Sequence, residues 1–188
     1  MIMDHSYGAS YQNVRLRPLE KRDIEQLRIW RNDPSQTRFL RPLGFITPEM
    51  QEKWFANYRE NEDEITFAVE ETELLHKMVG SVALYNFRGD TAEIGKIQIG
   101  EEKAHGLGIG KRTLEMACWI GFRTLGLKKI VSSVHRENLA AYRNNQKVGF
   151  VVAGNHPACV GGVEDEIEIT EKRLMEVCPH VREIILMS

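Results

Sequence analysis

The sequence has no marked excess of charge of either sign and no long hydrophobic run. Its 188 residues include 25 Lys and Arg against 27 Asp and Glu, so the formal net charge at pH 7 is −2. Nucleic-acid binders and polybasic membrane anchors depend on a positive surface that such a balance does not supply. No hydrophobic run approaches the roughly 20 residues that a transmembrane helix needs. We therefore expect neither a nucleic-acid partner nor a membrane partner.

Cysteines are also few, and their spacing matches no known framework. The three are Cys118, Cys159 and Cys178, without a Cys-x-x-Cys pair. An odd, widely spaced set argues against disulfides and against a zinc motif. No His-Glu-x-x-His spacing occurs either, so the sequence predicts no metal. Because the first residues also lack a basic cluster followed by a hydrophobic stretch, we expect a reducing, cytoplasmic location.

The length and the hydrophobic pattern predict a single domain. A chain of 188 residues with 42% hydrophobic and 28% charged residues is typical of one globular domain. The pattern predicts strands at 13–17, 65–69, 78–85, 91–99, 130–134, 149–153 and 166–169, and helices at 21–31, from 48 onward, at 109–124 and at 138–147. We expect a mixed α/β (α+β) sheet of about seven strands flanked by helices, with residues 1–12 as a flexible lead-in and 13–188 as the domain.

A glycine-rich turn, residues 103–112, stands between a predicted strand and a predicted helix. Its glycines let the backbone approach a ligand, and the free N–H groups at a helix start attract phosphate. Gly106 and Gly110 stand one residue too close for a Walker A loop, and Lys111 occupies the place of the third Rossmann glycine. A nucleotide-binding module is therefore a poor hypothesis, whereas a plain strand–helix turn stays open on this segment alone.

Three motifs taken together resemble the GNAT N-acetyltransferase superfamily. The spacing His105-x-x-Gly108-x-Gly110 resembles its acetyl-CoA-binding pattern, Arg/Gln-x-x-Gly-x-Gly/Ala. The run from Asn138 to Phe150 resembles the family's Asn-x-x-Ala/Ser helix that ends in Gly-Phe. The opening at 16–23, Leu-Arg-Pro-Leu-x-x-x-Asp, is similar to the branch that contains the ribosomal-protein alanine acetyltransferases. The motifs follow the family order over residues 13–170.

This resemblance implies a fold and a cofactor site. The two central strands, 91–99 and 130–134, would splay apart to admit acetyl-CoA as co-substrate. Pantetheine would pair with the end of the first of these strands, and the pyrophosphate would meet the N–H groups of the glycine turn. The cofactor-binding residues so implied are Ile97, Gln98, Ile99, His105, Gly106, Leu107, Gly108, Ile109, Gly110, Lys111, Asn138 and Asn145.

Transfer of an acetyl group directly to an amine requires a proton acceptor and a proton donor. Glu93, on the 91–99 strand, is the first candidate for general base. His135 is the second, because histidine side chains titrate near neutral pH. Tyr142 is the candidate general acid, since Asn145 occupies the position where the family often has a tyrosine; helix packing is its alternative role. Glu115, in the helix after the glycine turn, is expected to be a surface or capping carboxylate.

The acceptor wall is expected on the first two helices and the loop between them. Trp30, Arg31 and Arg38 are the candidate substrate-binding residues, because guanidinium groups suit a substrate phosphate. This segment also resembles that of amino-sugar-nucleotide acetyltransferases. The alternative for Trp30, supported by its helical spacing, is a place in the core.

The sequence thus predicts an acetyl-CoA-dependent N-acetyltransferase. Its acceptor would be the primary amine of an amino-sugar nucleotide, a protein N-terminus, a polyamine or another small metabolite, and a homodimer is an option. The alternative is a non-catalytic acyl-CoA sensor on the same fold, motivated by the missing tyrosine at Asn145.

Overall fold

Nine strands form one sheet in the computed structural model, which describes residues 5–188. They are β1 (Gly8–Tyr11), β2 (Val14–Pro18), β3 (Glu64–Glu71), β4 (Lys77–Arg88), β5 (Thr91–Ile99), β6 (Lys129–His135), β7 (Val151–Pro157), β8 (Val163–Thr170) and β9 (Ile185–Met187). Their order in space is β7-β8-β6-β5-β4-β3-β2-β1-β9. Neighbours are antiparallel except β5 and β6, which are parallel. The mixed sheet therefore consists of two antiparallel parts joined by one parallel pair.

Helices cover both faces of this sheet. They are α1 (Ile24–Asn32), α2 (Pro34–Thr37), α3 (Pro48–Glu60), α4 (Ile109–Arg123), α5 (Leu139–Val148) and α6 (Glu171–Val177). On one face α1 and α3 pack over a cluster of Leu19, Ile24, Phe55 and Ala68. On the other face α4 crosses the main core, with α5 and α6 beside it. None of the helices within residues 5–188 is long and apolar enough to cross a membrane.

Two of the nine described strands, β1 and β9, were not among the roughly seven predicted from the sequence. β1 lies within residues 1–12, predicted as a flexible lead-in, and pairs with both β2 and β9. Because Ala9 is fully buried in the main core, the lead-in prediction does not hold for Gly8–Tyr11. The first four residues of that lead-in lie outside the described residues.

The opening motif at 16–23 forms a buried ion pair. Arg17 donates from Nη1 to Asp23 Oδ2 at 2.6 Å, from Nη2 to Asp23 Oδ1 at 2.8 Å, and from Nε to Glu70 Oε1 at 2.7 Å. Asp23 also accepts the N–H of Glu20 at 2.8 Å. The hydrogen bond to Asp23 is the main cause that raises the pKa of Arg17, so the pair stays charged. The motif therefore fixes the start of α1 to β2 and β3.

Arg17→Met should lower the free energy of unfolding by about 3–5 kcal/mol, because it leaves the buried Asp23 carboxylate without its partner. Arg22→Met is the matched control, since Arg22 pairs with Glu20 at the surface and its removal should change stability by about 0.5 kcal/mol or less. Urea unfolding of both variants and of wild type measures the difference. Equal losses in the two variants would contradict a structural role for the buried pair.

Candidate functional site

The parallel pair β5–β6 opens into a gap after three registers. The strands pair from Thr91↔Lys129 to Glu93↔Val131, and no further register joins them in the described chain. Beyond this point β5 keeps its partner β4 on one side only. Ser132 Oγ donates to the Ile94 carbonyl at 2.7 Å, at the first position past the last pair. The predicted splay of the two central strands is therefore observed, and the gap-facing edge of residues 95–99 has no strand partner in the described chain.

A bulge shapes the open part of β5. The β4–β5 register shifts between Ser81 and Ala83, and Lys96 takes a φ of 51°, unusual for a residue other than glycine. Bulges bend a strand and increase its twist. The bulge therefore accompanies the divergence of β5 from β6, and Ile97, Gln98 and Ile99 line the open stretch.

The glycine turn lies at the mouth of this gap. Gly106 and Gly108 have φ values of 81° and 74°, in the left-handed region that favours glycine. Gly108 is the N-cap of α4 and supplies no side-chain cap. The first N–H groups of α4, from Ile109, Gly110 and Lys111, therefore point out of the helix without an intrahelical acceptor. Such a helix start is suited to bind an anion.

Two of the predicted N–H donors are already used within the protein. The N–H of His105 donates to Glu102 O at 3.0 Å, and that of Leu107 donates to Ala104 O at 3.4 Å. The imidazole Nε2 of His105 lies 2.7 Å from Ile99 O and so holds the turn against the end of β5. The prediction that these two N–H groups bind a ligand is therefore corrected, because the short 3-10 helix at Glu102–Ala104 supplies their acceptors.

The basic group at the turn is Arg112 rather than Lys111. The ammonium of Lys111 binds the Glu115 carboxylate one turn along α4. Arg112 donates to Leu107 O at 2.8 Å, and its guanidinium lies 3.6 Å from the place of a Cβ on Gly108. The expectation of a surface position for Glu115 is wrong, since its side chain is 1% exposed.

The two asparagines predicted to bind the co-substrate, Asn138 and Asn145, form hydrogen bonds within α5. Asn138 Oδ1 accepts the N–H of Ala141 at 3.2 Å and so caps α5. Asn145 is buried and donates to Ala141 O at 3.0 Å. Asn144, which the sequence analysis did not single out, places Nδ2 3.0 Å from the position of a Cβ on Gly110. One signal could have pointed to Asn144: it stands six residues after Asn138, the N-cap of a helix that packs on α4.

Glu93 occupies the closed end of the gap. Ala92 and Ile94 point into the main core, so Glu93 lies on the opposite face of the sheet, the one that bears α3. Its Oε1 accepts the Tyr85 hydroxyl at 2.7 Å, and its Oε2 accepts Asn86 Nδ2 at 2.9 Å. Burial raises the pKa of Tyr85, and Glu93 raises it further, so the phenol stays protonated. These two donors fix the orientation of the Glu93 side chain.

Tyr142 is committed to a different carboxylate. Its hydroxyl donates to Asp165 Oδ2 at 3.0 Å, while Arg136 Nε and Nη2 donate to Oδ1 at 2.9 and 2.7 Å. The hydrogen bond to Asp165 raises the pKa of Tyr142, and the Arg136 hydrogen bond is the main cause that lowers the pKa of Asp165. The predicted role of Tyr142 as general acid therefore requires it to leave Asp165 first.

His135 is held by backbone groups at both ring nitrogens. Nδ1 accepts the N–H of Glu137 at 3.2 Å, so Nε2 must carry the proton that it shares with Gly161 O at 2.7 Å. The side chain is buried, and its ring packs on Phe39 with centroids 4.9 Å apart. The one free lone pair of the ring, on Nδ1, therefore already accepts a hydrogen bond. His135 holds the 158–162 loop in place, and the prediction that it acts as a general base is corrected.

A cavity of about 350 Å³ lies beside the open end of the gap. Arg31, Arg38 and Arg41 line it, and no carboxylate is among its described lining residues, although Arg38 pairs with Glu137 outside them. Arg31 Nη2 donates to Arg41 O at 2.6 Å. Trp30 is 5% exposed and packs on Gly100, so its prediction as a substrate-binding residue is corrected in favour of a core position.

Contacts on two sides join this cavity to the gap. Arg38 Nη2 binds Glu137 Oε2 at 2.9 Å, just beyond the end of β6. Gln36 Nε2 donates to Gly100 O at 3.2 Å, just beyond the end of β5. The α1–α2 segment therefore touches both strand ends, and the arginine cavity opens next to them.

Comparison with known proteins agrees with this geometry. A protein-family model described as an acetyltransferase (GNAT) domain matches residues 13–151. No curated protein matches the sequence significantly. Among solved structures, the spermidine N-acetyltransferase of Vibrio cholerae, in complex with CoA and spermine, superposes with a TM-score of 0.78 at 21% identity. That match covers 87% of this chain and 98% of the other.

Two further solved structures are similar to the chain. The acetyltransferase (GNAT family) from Bacillus anthracis has a TM-score of 0.74 at 20% identity, covering 88% of this chain and 99% of the other. A domain from Methanocaldococcus jannaschii DSM 2661 has a TM-score of 0.71 at 21% identity, covering 86% and 99%. Similarity at these identities establishes the fold, and it confirms the predicted mixed α/β class.

Proposed function

Because this chain belongs to the GNAT acetyltransferase family, we propose that it transfers the acetyl group of acetyl-CoA to a primary amine. One observation carries the proposal: the unpaired edge of β5 leads directly to the uncapped start of α4. An acyl-CoA has amides that can pair with a strand edge and a pyrophosphate that suits helix N–H groups. The family assignment agrees with the predicted enzyme class, an acyltransferase, and with acetyl-CoA as the co-substrate.

Residues around the turn suit the anionic part of the co-substrate. We assign the pyrophosphate to the N–H groups of Gly108, Ile109, Gly110 and Lys111, beside the Arg112 guanidinium. The Asn144 amide, close to Gly110, is a further donor. The pantetheine would run along Ile97–Ile99 toward the closed end of the gap, where Glu93 stands.

Glu93 is the group that we assign as general base. Acetyl-CoA supplies an activated thioester carbonyl, and the amine must lose its extra proton before it can attack that carbon. Glu93 accepts this proton while Tyr85 and Asn86 hold the carboxylate in place. An unpaired N–H of β5 can stabilise the negative charge that develops on the carbonyl oxygen. A second amine proton then neutralises the departing thiolate, so no protein acid is needed.

The arginine cavity indicates the class of acceptor. Arg38 is paired with Glu137, but Arg31 and Arg41 have no carboxylate partner among the described residues, so the cavity disfavours a polyamine and attracts an anionic group. Along β6, Val131, which pairs with Glu93, and His135, which packs on Phe39 beside the cavity, are about 13 Å apart at roughly 3.3 Å per residue. We propose an acceptor with a primary amine and an anionic group about that far apart. An amino-sugar nucleotide fits best, with a protein N-terminus or another small metabolite as alternatives.

The hydrogen bond between Tyr142 and Asp165 favours a second candidate function. Because this hydroxyl is engaged and Asn145 stands at the family's usual tyrosine position, the protein can also be a non-catalytic acyl-CoA sensor. Turnover with any amine decides against the sensor. Three statements stay predictions: a cytoplasmic location, a homodimer, and membership of the branch that contains the ribosomal-protein alanine acetyltransferases.

Gly108→Glu should weaken acetyl-CoA binding by about 30-fold or more, because it places a carboxylate where the pyrophosphate would lie. Gly126→Glu is the matched control: Gly126 has a φ of 71°, stands beyond the other end of α4 and has no described atom within 4 Å of an added Cβ. Calorimetric titration measures both affinities. No binding by wild type at high micromolar acetyl-CoA, or equal weakening in both variants, would exclude the proposed site.

Glu93→Gln should lower kcat/KM for the amine by about 10²–10⁴-fold, the usual contribution of a general base. Acetyl-CoA affinity should not change, because the side chain lies on the other end of the gap from the turn. Glu60→Gln, at the exposed end of α3, is the control. The measurement is thiol release with a panel of amines, and a Glu93 variant as active as the control would remove Glu93 from the reaction.

Arg31→Gln should raise the KM of an anionic amine about tenfold or more, because hydrogen bonds to charged groups are worth roughly 1.5–3 kcal/mol. It should lower or leave unchanged the KM of spermidine, which has no anion to bind. Arg59→Gln, on the exposed end of α3, should alter neither. Steady-state kinetics with both classes of amine provides the readout. Spermidine as the better wild-type substrate would refute the assignment of an anionic acceptor.

A further inference from the structure

A cluster of three ligand-type side chains lies where α4 meets the C-terminal segment. Glu115 comes from the middle of α4, Cys178 follows α6, and His180 stands in the 3-10 helix Pro179–Glu183. A carboxylate oxygen, the thiol sulfur and an imidazole nitrogen all lie within 4.8 Å of one another. Glu115 is more than 60 positions from Cys178 and His180 in the sequence, so no metal-binding motif of short spacing contains all three.

The Glu115 carboxylate is incompletely satisfied. Oε1 binds the Lys111 ammonium and lies 2.9 Å from His180 Nε2. Oε2 is buried and has no hydrogen-bond partner among the described residues. Burying a carboxylate is unfavourable unless its oxygens are paired or bind a cation. The cluster therefore has a buried acceptor without a partner, beside a thiol and an imidazole.

We propose that Glu115, Cys178 and His180 bind one Zn²⁺ ion. Zinc accepts carboxylate oxygen, thiolate sulfur and imidazole nitrogen, at about 2.0–2.3 Å, and commonly in a tetrahedral site. Mg²⁺ and Ca²⁺ prefer sites made of oxygen only. Three protein ligands leave the fourth position to water. Bonds of that length place ligand atoms about 3.4 Å apart in a tetrahedral site, and the three ligand atoms here lie within 4.8 Å of one another.

On binding, Zn²⁺ would replace the Lys111 ammonium as the cation next to the Glu115 carboxylate. The Lys111 side chain is 30% exposed and can turn to solvent, where its ammonium regains water. The Cys178 thiol loses its proton to solvent and binds as thiolate, which brings a second negative charge to the ion. The imidazole binds in its neutral form. Zn²⁺ then faces two anionic ligands and one neutral ligand.

The site would be structural and separate from acyl transfer. In the metal-free chain Cys178 Sγ donates to Lys147 O at 3.4 Å, at the end of α5, and this hydrogen bond is given up when the thiol loses its proton. The ion would link α4 to the segment that leads to β9 at the sheet edge. This role does not depend on the proposed function, because none of the three ligands is assigned to the co-substrate or to the acceptor.

Competition between the metal-free full chain and a chromophoric chelator for ZnCl₂ tests the site. We expect one Zn²⁺ per wild-type chain. Cys178→Ser and His180→Ala should each weaken binding by about 100-fold or more, since even second-shell changes commonly reduce metal affinity 10–100-fold. Cys159→Ser and His156→Ala are the matched controls, with exposed side chains elsewhere, and should bind as wild type. Lys111→Met should bind up to about fivefold tighter.

Cobalt absorption by the wild-type chain reports a thiolate ligand directly, without relying on any variant. Co²⁺ added to wild type should give a thiolate-to-cobalt charge-transfer band that His180→Ala weakens and Cys159→Ser leaves intact. Circular dichroism establishes that each variant is folded. Absence of stoichiometric zinc binding by wild type, or its loss in Cys159→Ser but not in Cys178→Ser, would overturn the proposal.

Discussion

An interrupted parallel pair in the middle of the sheet is the constraint on which the site depends. Backbone N–H and C=O groups inside a protein need partners, and a strand edge at the centre of a sheet normally finds them in its neighbour. After Glu93↔Val131 that neighbour diverges, and Ser132 provides only one hydrogen bond across the opening. The remaining edge of β5 keeps unsatisfied groups that an extended ligand can pair.

The elements around this opening follow from it. The bulge at Lys96 accompanies the divergence of β5, and the uncapped start of α4 places free N–H groups at the same end. On the other face, Glu93 stands at the closed end with its two oxygens fixed by Tyr85 and Asn86. The proposed anion site at the mouth and the proposed proton acceptor, Glu93, at the closed end thus lie along one strand, so a domain of this size can combine both.

Sequence patterns predicted the local features and missed the long-range ones. β5, the glycine turn and α4 follow from alternation, glycine spacing and helical periodicity, and the splay of β5 from β6 follows from the family resemblance. β1 and β9 were missed because they are short and pair with each other across almost the whole chain. The engagement of Tyr142 by Asp165, and of His135 by Gly161, depends on loops that meet only in the folded protein. The burial of Glu115 beside His180 has the same cause.

A crystal structure with acetyl-CoA tests the central claim most directly. The account predicts pantetheine amides within hydrogen-bond distance of the β5 backbone between 95 and 99, pyrophosphate oxygens on the N–H groups of 108–111, and the acetyl group toward Glu93. A cofactor bound outside the β5–β6 gap, or a gap that closes into a continuous parallel pair while the cofactor is bound, would contradict it.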